Sequence, residues 1–308
     1  VNRAPTAAVA RLGVDLGGTK VASWLLGPDG EAIDTQREAS ARGDYAATLA
    51  QLVAIVARAD ARAGTPVRVG IGTPGSVSPF DGRLRNANST WLNGQRLGDD
   101  LGARLDREVR LANDADCFAL SEAIDGAGVG RRVVFGVILG TGVGAGVIVD
   151  GRPLRGPNGS AGEWGHNPLP WADAHEIEHA PRCWCGRRGC IETWLSGPAL
   201  AADHARHGGD AACDARAIAQ AAAAGDVRAA AALARWADRL GRALAHVINL
   251  LDPDVVVLGG GLSVLSIATD RSALGLERHV FGDAVATPVV RNVHGDAGGV
   301  RGAAWLWP

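Results

Sequence analysis

Apolar and polar residues alternate from Arg11 to Leu16, stop at Gly17-Gly18-Thr19-Lys20, and resume from Val21 to Leu26 before a Pro28-Asp29-Gly30 turn. Alternation on both sides of a glycine tip predicts a β-hairpin. The plan recurs further on: Val134 to Leu139 reads as a strand, Gly140-Thr141-Gly142-Val143-Gly144 as the tip, and Ala145 to Val149 as the return strand. Two such hairpins predict an internally duplicated fold. Between them, Leu49, Leu52, Val53 and Val56 keep helical spacing within 45–63, and a strand over 67–71 follows. Thr73-Pro74-Gly75 then breaks the chain. Residues 76–98, rich in Asn, Ser, Gly and Pro, read as a long irregular loop, and loops of that length in compact domains tend to carry function. Substrate contacts are expected there.

A short strand over 109–111 gives way at Asn113-Asp114 to a helix with Ala115, Phe118, Ala119, Glu122 and Ala123 in register. The clearest helix runs over 226–251, with Leu233, Trp236, Leu240, Leu244, Val247 and Leu251 at steps of three and four, and Asp252-Pro253 ends it. Val255 to Leu258 is a strand buried on both faces that runs into Gly259-Gly260-Gly261, a third glycine-rich strand end. The last segment, 298–308, reads as a short helix packing back on the N-terminal part. The pattern predicts an α/β protein of two domains: a small one over 1–118 joined by helix 298–308, and a large one over 119–297.

Composition narrows the function. The 308 residues are 47% hydrophobic and 21% charged with a net charge of −2, enough for a sizeable core and without a sign of disorder. No long Lys/Arg run provides the footprint of a nucleic-acid or membrane-surface binder. The longest apolar stretches are strand-sized, short of the ~20 residues of a membrane span. Residues 1–11 lack a signal-peptide core and read as a loose tail, so a cytoplasmic protein with a small polar ligand is expected. Basic residues are nearly all arginine; the one lysine is Lys20, in the first glycine tip.

That tip carries the first candidate chemistry. In Asp15-Leu16-Gly17-Gly18-Thr19-Lys20, glycines let backbone N–H groups approach phosphate oxygens, with a hydroxyl and a compact ammonium beside them. An ordinary glycine hairpin is the competing explanation. Gly140-Thr141-Gly142-Val143-Gly144 and Gly259-Gly260-Gly261 are weak alone, but three such tips suit a fold that closes two domains on one nucleotide. The first tip returns as a strand, which excludes a phosphate loop or dinucleotide fingerprint. Asp114, at a strand-to-helix junction, is placed to take a proton from a sugar hydroxyl as it attacks phosphorus; helix capping by Asn113, Asp114 or Asp116 is the alternative. Asn113 offers a donor and an acceptor for vicinal hydroxyls. Glu163 and His166, between glycines, can bond sugar hydroxyls or simply form a polar surface loop. Trp164, Trp171, Trp184 and Trp194 crowd the same region and can stack on a sugar face, though packing accounts for most.

Cys183, Cys185 and Cys190 place three thiols around glycine turns, and one imidazole would complete a closed Cys₃His zinc site, structural rather than catalytic, that holds the loop presenting Glu163 and Glu192. Spacing alone leaves His166, His175 and His179 open as the fourth ligand.

Read in order, these motifs resemble the kinase branch of the ROK family (repressor, open reading frame, kinase) from Leu12 to Pro308. The resemblance rests on the Asp-x-Gly-Gly-Thr-Lys hairpin, Gly70 to Gly75, Ala112-Asn113-Asp114, Gly140-Thr141-Gly142, Gly162 to His166, the cysteine run ending in Glu192, and the late glycine triplet. It implies an actin-like, hexokinase-type (ribonuclease H-like) duplicated fold with an interdomain cleft, ATP with Mg²⁺ as cofactor, a structural Zn²⁺, a hexose substrate and a homodimer. Residue by residue it implies Asp114 as general base, with Asn113, Glu163, His166 and Glu192 as sugar ligands beside Gly75 and Asn88. Asp15, Gly17, Gly18, Thr19, Lys20, Gly140, Thr141, Gly142, Gly144, Gly259, Gly260 and Gly261 are implied at the nucleotide. His166 is implied as the zinc ligand joining Cys183, Cys185 and Cys190; it stands farther from Cys183 than the family pattern, so His175 and His179 stay open as replacements. The segments 86–94, 164–171 and 302–308 resemble bacterial fructokinases of the manno(fructo)kinase type, which implies fructose ahead of mannose, glucose or N-acetylated hexosamines.

Two rivals belong to other classes. A sugar-responsive repressor needs a helix-turn-helix, for which the residues ahead of the first hairpin leave no space. An actin-like assembly ATPase would not need the sugar-type polar loops and the cysteine cluster.

Overall fold

The computed structural model describes residues 9–307; residues 1–8 of the expected tail, and Pro308, lie outside them. The first hairpin pairs β1 (Arg11–Leu16) antiparallel with β2 (Lys20–Leu26), and β3 (Ala32–Ala39) extends its edge. Helix α1 (Tyr45–Ala63) starts where the Asp44 carboxylate accepts the Ala47 N–H, buries Leu49, Leu52, Ile55 and Val56, and stops at the left-handed Gly64. It returns the chain to β4 (Arg68–Thr73), parallel to β1.

The segment expected to be irregular holds more order than its composition suggests. It contains a small hairpin of β5 (Ser76–Val77) and β6 (Leu84–Arg85), a 3₁₀ turn at Thr90–Leu92, and the start of α2 (Leu97–Leu105). Leu84 and Leu92 explain this, since both are fully buried and nail the segment to the core. Strand β7 (Val109–Asn113) then pairs parallel with β4, giving the order β3-β2-β1-β4-β7.

The second sheet repeats the plan. β8 (Val133–Leu139) and β9 (Val143–Val149) form the hairpin, β10 (Arg152–Pro153) lies outside β9, and β11 (Val255–Gly259) and β12 (Val289–Arg291) add in parallel, in the order β10-β9-β8-β11-β12. Each sheet therefore has a central antiparallel hairpin, an antiparallel edge strand on one side and two parallel strands on the other. This is the duplicated actin-like, hexokinase-type α/β fold.

The chain leaves the first sheet at Asn113, and α3 (Asp114–Asp125) packs on β8 and β9 of the second. Helices α4 (Ala174–Glu178), α5 (Glu192–Leu195), α6 (Gly197–Arg206), α7 (Ala215–Ala223), α8 (Val227–Leu251) and α9 (Arg271–Leu274) follow in the second half. Helix α8 begins at the Asp226 cap and buries Trp236, Leu240 and Leu244 on one stripe. Among the described residues, no helix is long and apolar enough to cross a membrane.

The last helix, α10 (Gly298–Ala304), is shorter than the predicted 298–308. Beyond it Leu306 is buried, the Trp307 indole donates to the Val69 carbonyl, and Arg110 stacks over the Trp307 ring, so side-chain anchors replace the last helical turn. Helix α10 lies against β1, β4 and α3 at once.

A buried ion network ties three helices of the second half together. Glu176 on α4 accepts from Arg239 and Arg242 of α8, and Asp203 on α6 accepts from Arg235 and Arg239. Burial works against the Glu176 carboxylate, but the Arg242 and Arg239 guanidiniums outweigh it and lower its pKa to about 2. Because the folded value lies below the ordinary 4.5, this contribution to stability is present above pH ~4.5 and is lost as pH falls toward 2. Removing one partner leaves buried charge behind, so Arg239→Ala is expected to cost about 3–5 kcal/mol in denaturant unfolding. A cost under about 1 kcal/mol would show the network to be dispensable.

Candidate active site

Asp114 occupies the first turn of α3, at the point where the chain passes from one sheet to a helix on the other. Capping is shared with its neighbour: the Asn113 side chain accepts the Ala115 N–H at 2.8 Å and donates to the Gly75 carbonyl at 3.0 Å. Asp114 Oδ1 accepts the same Ala115 N–H at 2.8 Å. Its side chain is reached by solvent through the cleft, yet protein surrounds it on the other sides. Burial raises its pKa and repulsion from Glu163 adds to the rise, while the Ala115 N–H opposes it.

The cleft that Asp114 enters measures about 1090 Å³. From the first half of the chain, Gly75, Asn88 and Asn113 line it with Asp114. Gly75 has φ +75°, and a Cβ there would lie 2.3 Å from the Arg85 carbonyl oxygen, so the turn needs glycine. From the second half come the tip residues Gly140, Thr141, Gly142 and Gly144, with Glu163, His166 and Glu192. The Glu163–His166 turn lies directly on β9, which Gly165 permits: a Cβ there would sit 2.1 Å from the Val143 oxygen. Glu192 is gripped from two sides, by Val143 N–H at 2.9 Å and the Trp184 indole N–H at 2.8 Å.

The first and third glycine tips are not part of this lining. Thr19 and Lys20 are exposed at the first tip, with Gly17 and Gly18 partly so. Asp15, at the end of β1, is close enough to Asp114 for the two charges to interact. Burial first, and repulsion from Asp114 second, push its pKa up to about 6 against the pull of Arg37. The third tip crosses the end of β8: Gly260, at φ +79°, would bring a Cβ 2.5 Å from the Leu139 oxygen, which sets Gly259, Gly260 and Gly261 beside the second tip.

The cysteine cluster is resolved by proximity. One ligand atom each from His166, Cys183, Cys185 and Cys190 lies within 4.8 Å of the others, with His166 Nδ1 3.5 Å from Cys183 Sγ and Cys185 Sγ 3.6 Å from Cys190 Sγ. His175 and His179 instead stack on each other at 4.3 Å. Trp164 and Trp194 are core residues, and Trp171 and Trp184 are exposed.

Two neighbours of the site have no chemical role in the sequence reading, where Asp116 enters only as a helix-cap candidate. Asp116, two residues after Asp114, is pushed up to about 7 by burial, with Asp114 and Glu163 repelling it and Arg155 opposing. Its position two along from a candidate base was the available signal. Asn86 lines the cleft at φ 59°, a left-handed conformation that asparagine tolerates.

The model of the ROK family matches residues 11–308. The chain belongs to the ROK family. A relative from Salmonella heidelberg (strain SL476), named N-acetyl-D-glucosamine kinase, is 42% identical over 298 residues, which covers 96% of this chain and 98% of that one. Among solved structures, a ROK hexokinase from Thermus thermophilus matches at TM-score 0.83 and 31% identity, over 96% of this chain and 97% of its own. A ROK family glucokinase from Streptomyces griseus, in complex with glucose and AMPPNP, matches at TM-score 0.74 and 29% identity, over 96% and 98%. As a ROK protein, this chain carries the family's duplicated fold with Asp114 at the crossing between its sheets.

Proposed function

We propose that this ROK protein is an ATP-dependent sugar kinase that transfers the γ-phosphoryl group of ATP to a hydroxyl of N-acetyl-D-glucosamine. The observation that carries the reading is the meeting, in one cleft, of the Asp114 carboxylate with Glu163, His166, Glu192 and the second glycine tip. The first sequence expectation, fructose, rested on short segments. The full-length relative instead bears the name N-acetyl-D-glucosamine kinase, which supports the N-acetylated sugar and keeps fructose as the comparison substrate. Glu163, His166, Glu192 and Asn113 hold the sugar hydroxyls, with Asn88 and the Gly75 backbone at the rim.

Asp114 accepts the proton of the attacking hydroxyl as the new O–P bond forms and the bond to the leaving ADP oxygen breaks. The mutual repulsion of Asp15, Asp114, Asp116 and Glu163 fits a site that admits a divalent cation with its nucleotide. When bound, Mg²⁺ supplies charge neutralisation at the phosphates. Gly18 and Thr19 on the first tip and Thr141 and Gly142 on the second would give backbone N–H groups to the phosphates, and closure of the two halves would position the reactants and exclude water.

We also read His166, Cys183, Cys185 and Cys190 as a closed structural zinc site. Tetrahedral Zn–S bonds of ~2.3 Å imply ligand separations of about 3.7 Å, which the 3.5 and 3.6 Å spacings match. Burial, with Cys185 and Cys183 adding, pushes the Cys190 thiol up to about 12, so thiolates this close need a cation to ionise together. Metal analysis is expected to give about one zinc per chain, and Cys190→Ser is expected to lose it along with thermal stability. Full stability in metal-free protein would contradict the assignment.

The substrate reading is tested by ADP release from the purified chain with fructose, mannose, glucose and N-acetyl-D-glucosamine. The highest kcat/KM is expected for N-acetyl-D-glucosamine. A preference for fructose would restore the first expectation, and ADP release independent of any sugar would remove the kinase reading.

A further inference from the structure

Trp184 stands between two of the clustered thiols, in the run Cys183-Trp184-Cys185, yet its side chain is 67% exposed and faces the cleft. A tryptophan so open would ordinarily be a packing loss. Here a polar contact compensates, because the indole N–H donates to Glu192 Oε1 at 2.8 Å. The other Glu192 oxygen accepts the backbone N–H of Val143, at the foot of the second glycine tip, at 2.9 Å. Gly142 leaves space for this arrangement, because a Cβ there would come within 2.8 Å of Glu192 Oε2. The ring is steadied by His166, whose imidazole meets it edge-on at 4.8 Å between centroids.

We infer that Trp184 is a positioning residue for sugar binding: it fixes the Glu192 carboxylate between the cysteine loop and the glycine tip, so that Glu192 meets the sugar already oriented. The inference rests on the sugar-kinase reading above. A glutamate side chain left to itself samples several rotamers, and each must be frozen when substrate binds. Trp184 and Val143 do that freezing in advance, one oxygen each. Each carboxylate oxygen keeps further acceptor capacity for a hydroxyl donor, and Glu192 lines the cleft. The hydrogen bond also links the cysteine loop to the sugar site through a side chain that is not itself a thiol or imidazole ligand.

The test is Trp184→Phe, which keeps an aromatic ring beside His166 and removes the indole N–H, with Trp184→Ala as a second variant. Sugar affinity is read by calorimetry, alongside KM, kcat, zinc content and melting temperature. Losing one hydrogen bond to a charged group predicts a rise of about ten- to a hundredfold in the Kd and KM for sugar in Trp184→Phe. The KM for ATP, zinc content and melting temperature are expected to stay at wild-type values. A merely structural tryptophan would instead lower the melting temperature or the zinc content and leave sugar KM unchanged in the Phe variant, and that result overturns the inference. Unchanged sugar affinity in both variants, with a fully active wild type, overturns it while leaving the kinase reading intact. A wild type that neither binds nor phosphorylates any hexose removes the kinase reading and this inference with it.

Discussion

Asp114→Asn is expected to lower kcat by about 10²- to 10⁴-fold while sugar affinity stays within about threefold of wild type. The amide keeps the size of the carboxylate and can still bond the sugar, but it cannot take the hydroxyl proton. The helix start should survive, because Asn113 already accepts the Ala115 N–H. Single-turnover kinetics with calorimetric sugar binding separates the two effects, and retained turnover would reject the base assignment. The same chemistry gives a pH expectation. Asp114 acts ionised, and burial with Glu163 nearby raises its pKa, so kcat should fall on acidification at a pH above the ordinary carboxylate range.

Gly302→Ala is expected to be the most damaging single methyl in the described fold, at a cost of about 3 kcal/mol or more. Helix propensity argues the other way, since alanine gains about 1 kcal/mol over glycine inside a helix. Sterics decide the sign, because the new Cβ would sit 1.6 Å from the Cys117 carbonyl oxygen of α3. The opposite face of α10 has no slack either: a Cβ on Gly13 would lie 2.0 Å from the Val300 oxygen, and one on Gly70 would lie 1.9 Å from the Ala303 oxygen. Helix α10 is wedged between β1, β4 and α3, so the methyl must push apart the elements that cross between the two halves. Gly156→Ala, where a Cβ meets nothing within 4 Å, is the control and should change stability by less than about 0.5 kcal/mol. Equal melting temperatures for the two variants would contradict the close packing of α10.

What could be read from the sequence divides along a physical line. Strand alternation, glycine tips and the 226–251 helix follow from local pattern, and the duplicated plan is visible once the two hairpins are compared. The order β3-β2-β1-β4-β7 against β10-β9-β8-β11-β12 gives that duplication its full extent. The edge strand β3 escaped notice because its burial is slight, which leaves no apolar alternation to detect. The order within 76–98 depends on three scattered buried leucines, Leu84, Leu92 and Leu97, among polar neighbours, too sparse a signal for a periodicity argument. Three cysteines within eight residues announced a cluster, whereas the histidine that joins them is chosen by the fold of the intervening loop, so sequence left three candidates. Trp184 looked like packing because a hydrogen bond across the cysteine run has no sequence signature. Sugar identity lies still deeper, in side-chain placements on the scale of an ångström.

Phosphoryl transfer by this chain is tested most directly by following the phosphoryl group itself. The purified chain is given Mg²⁺, ATP labelled at the γ-phosphate and N-acetyl-D-glucosamine, and the label is located by mass spectrometry. Label is expected on the sugar in amounts equal to the ADP formed, with the Asp114→Asn protein nearly inactive. Label released only as inorganic phosphate, or transfer that proceeds unchanged without the Asp114 carboxylate, would contradict it.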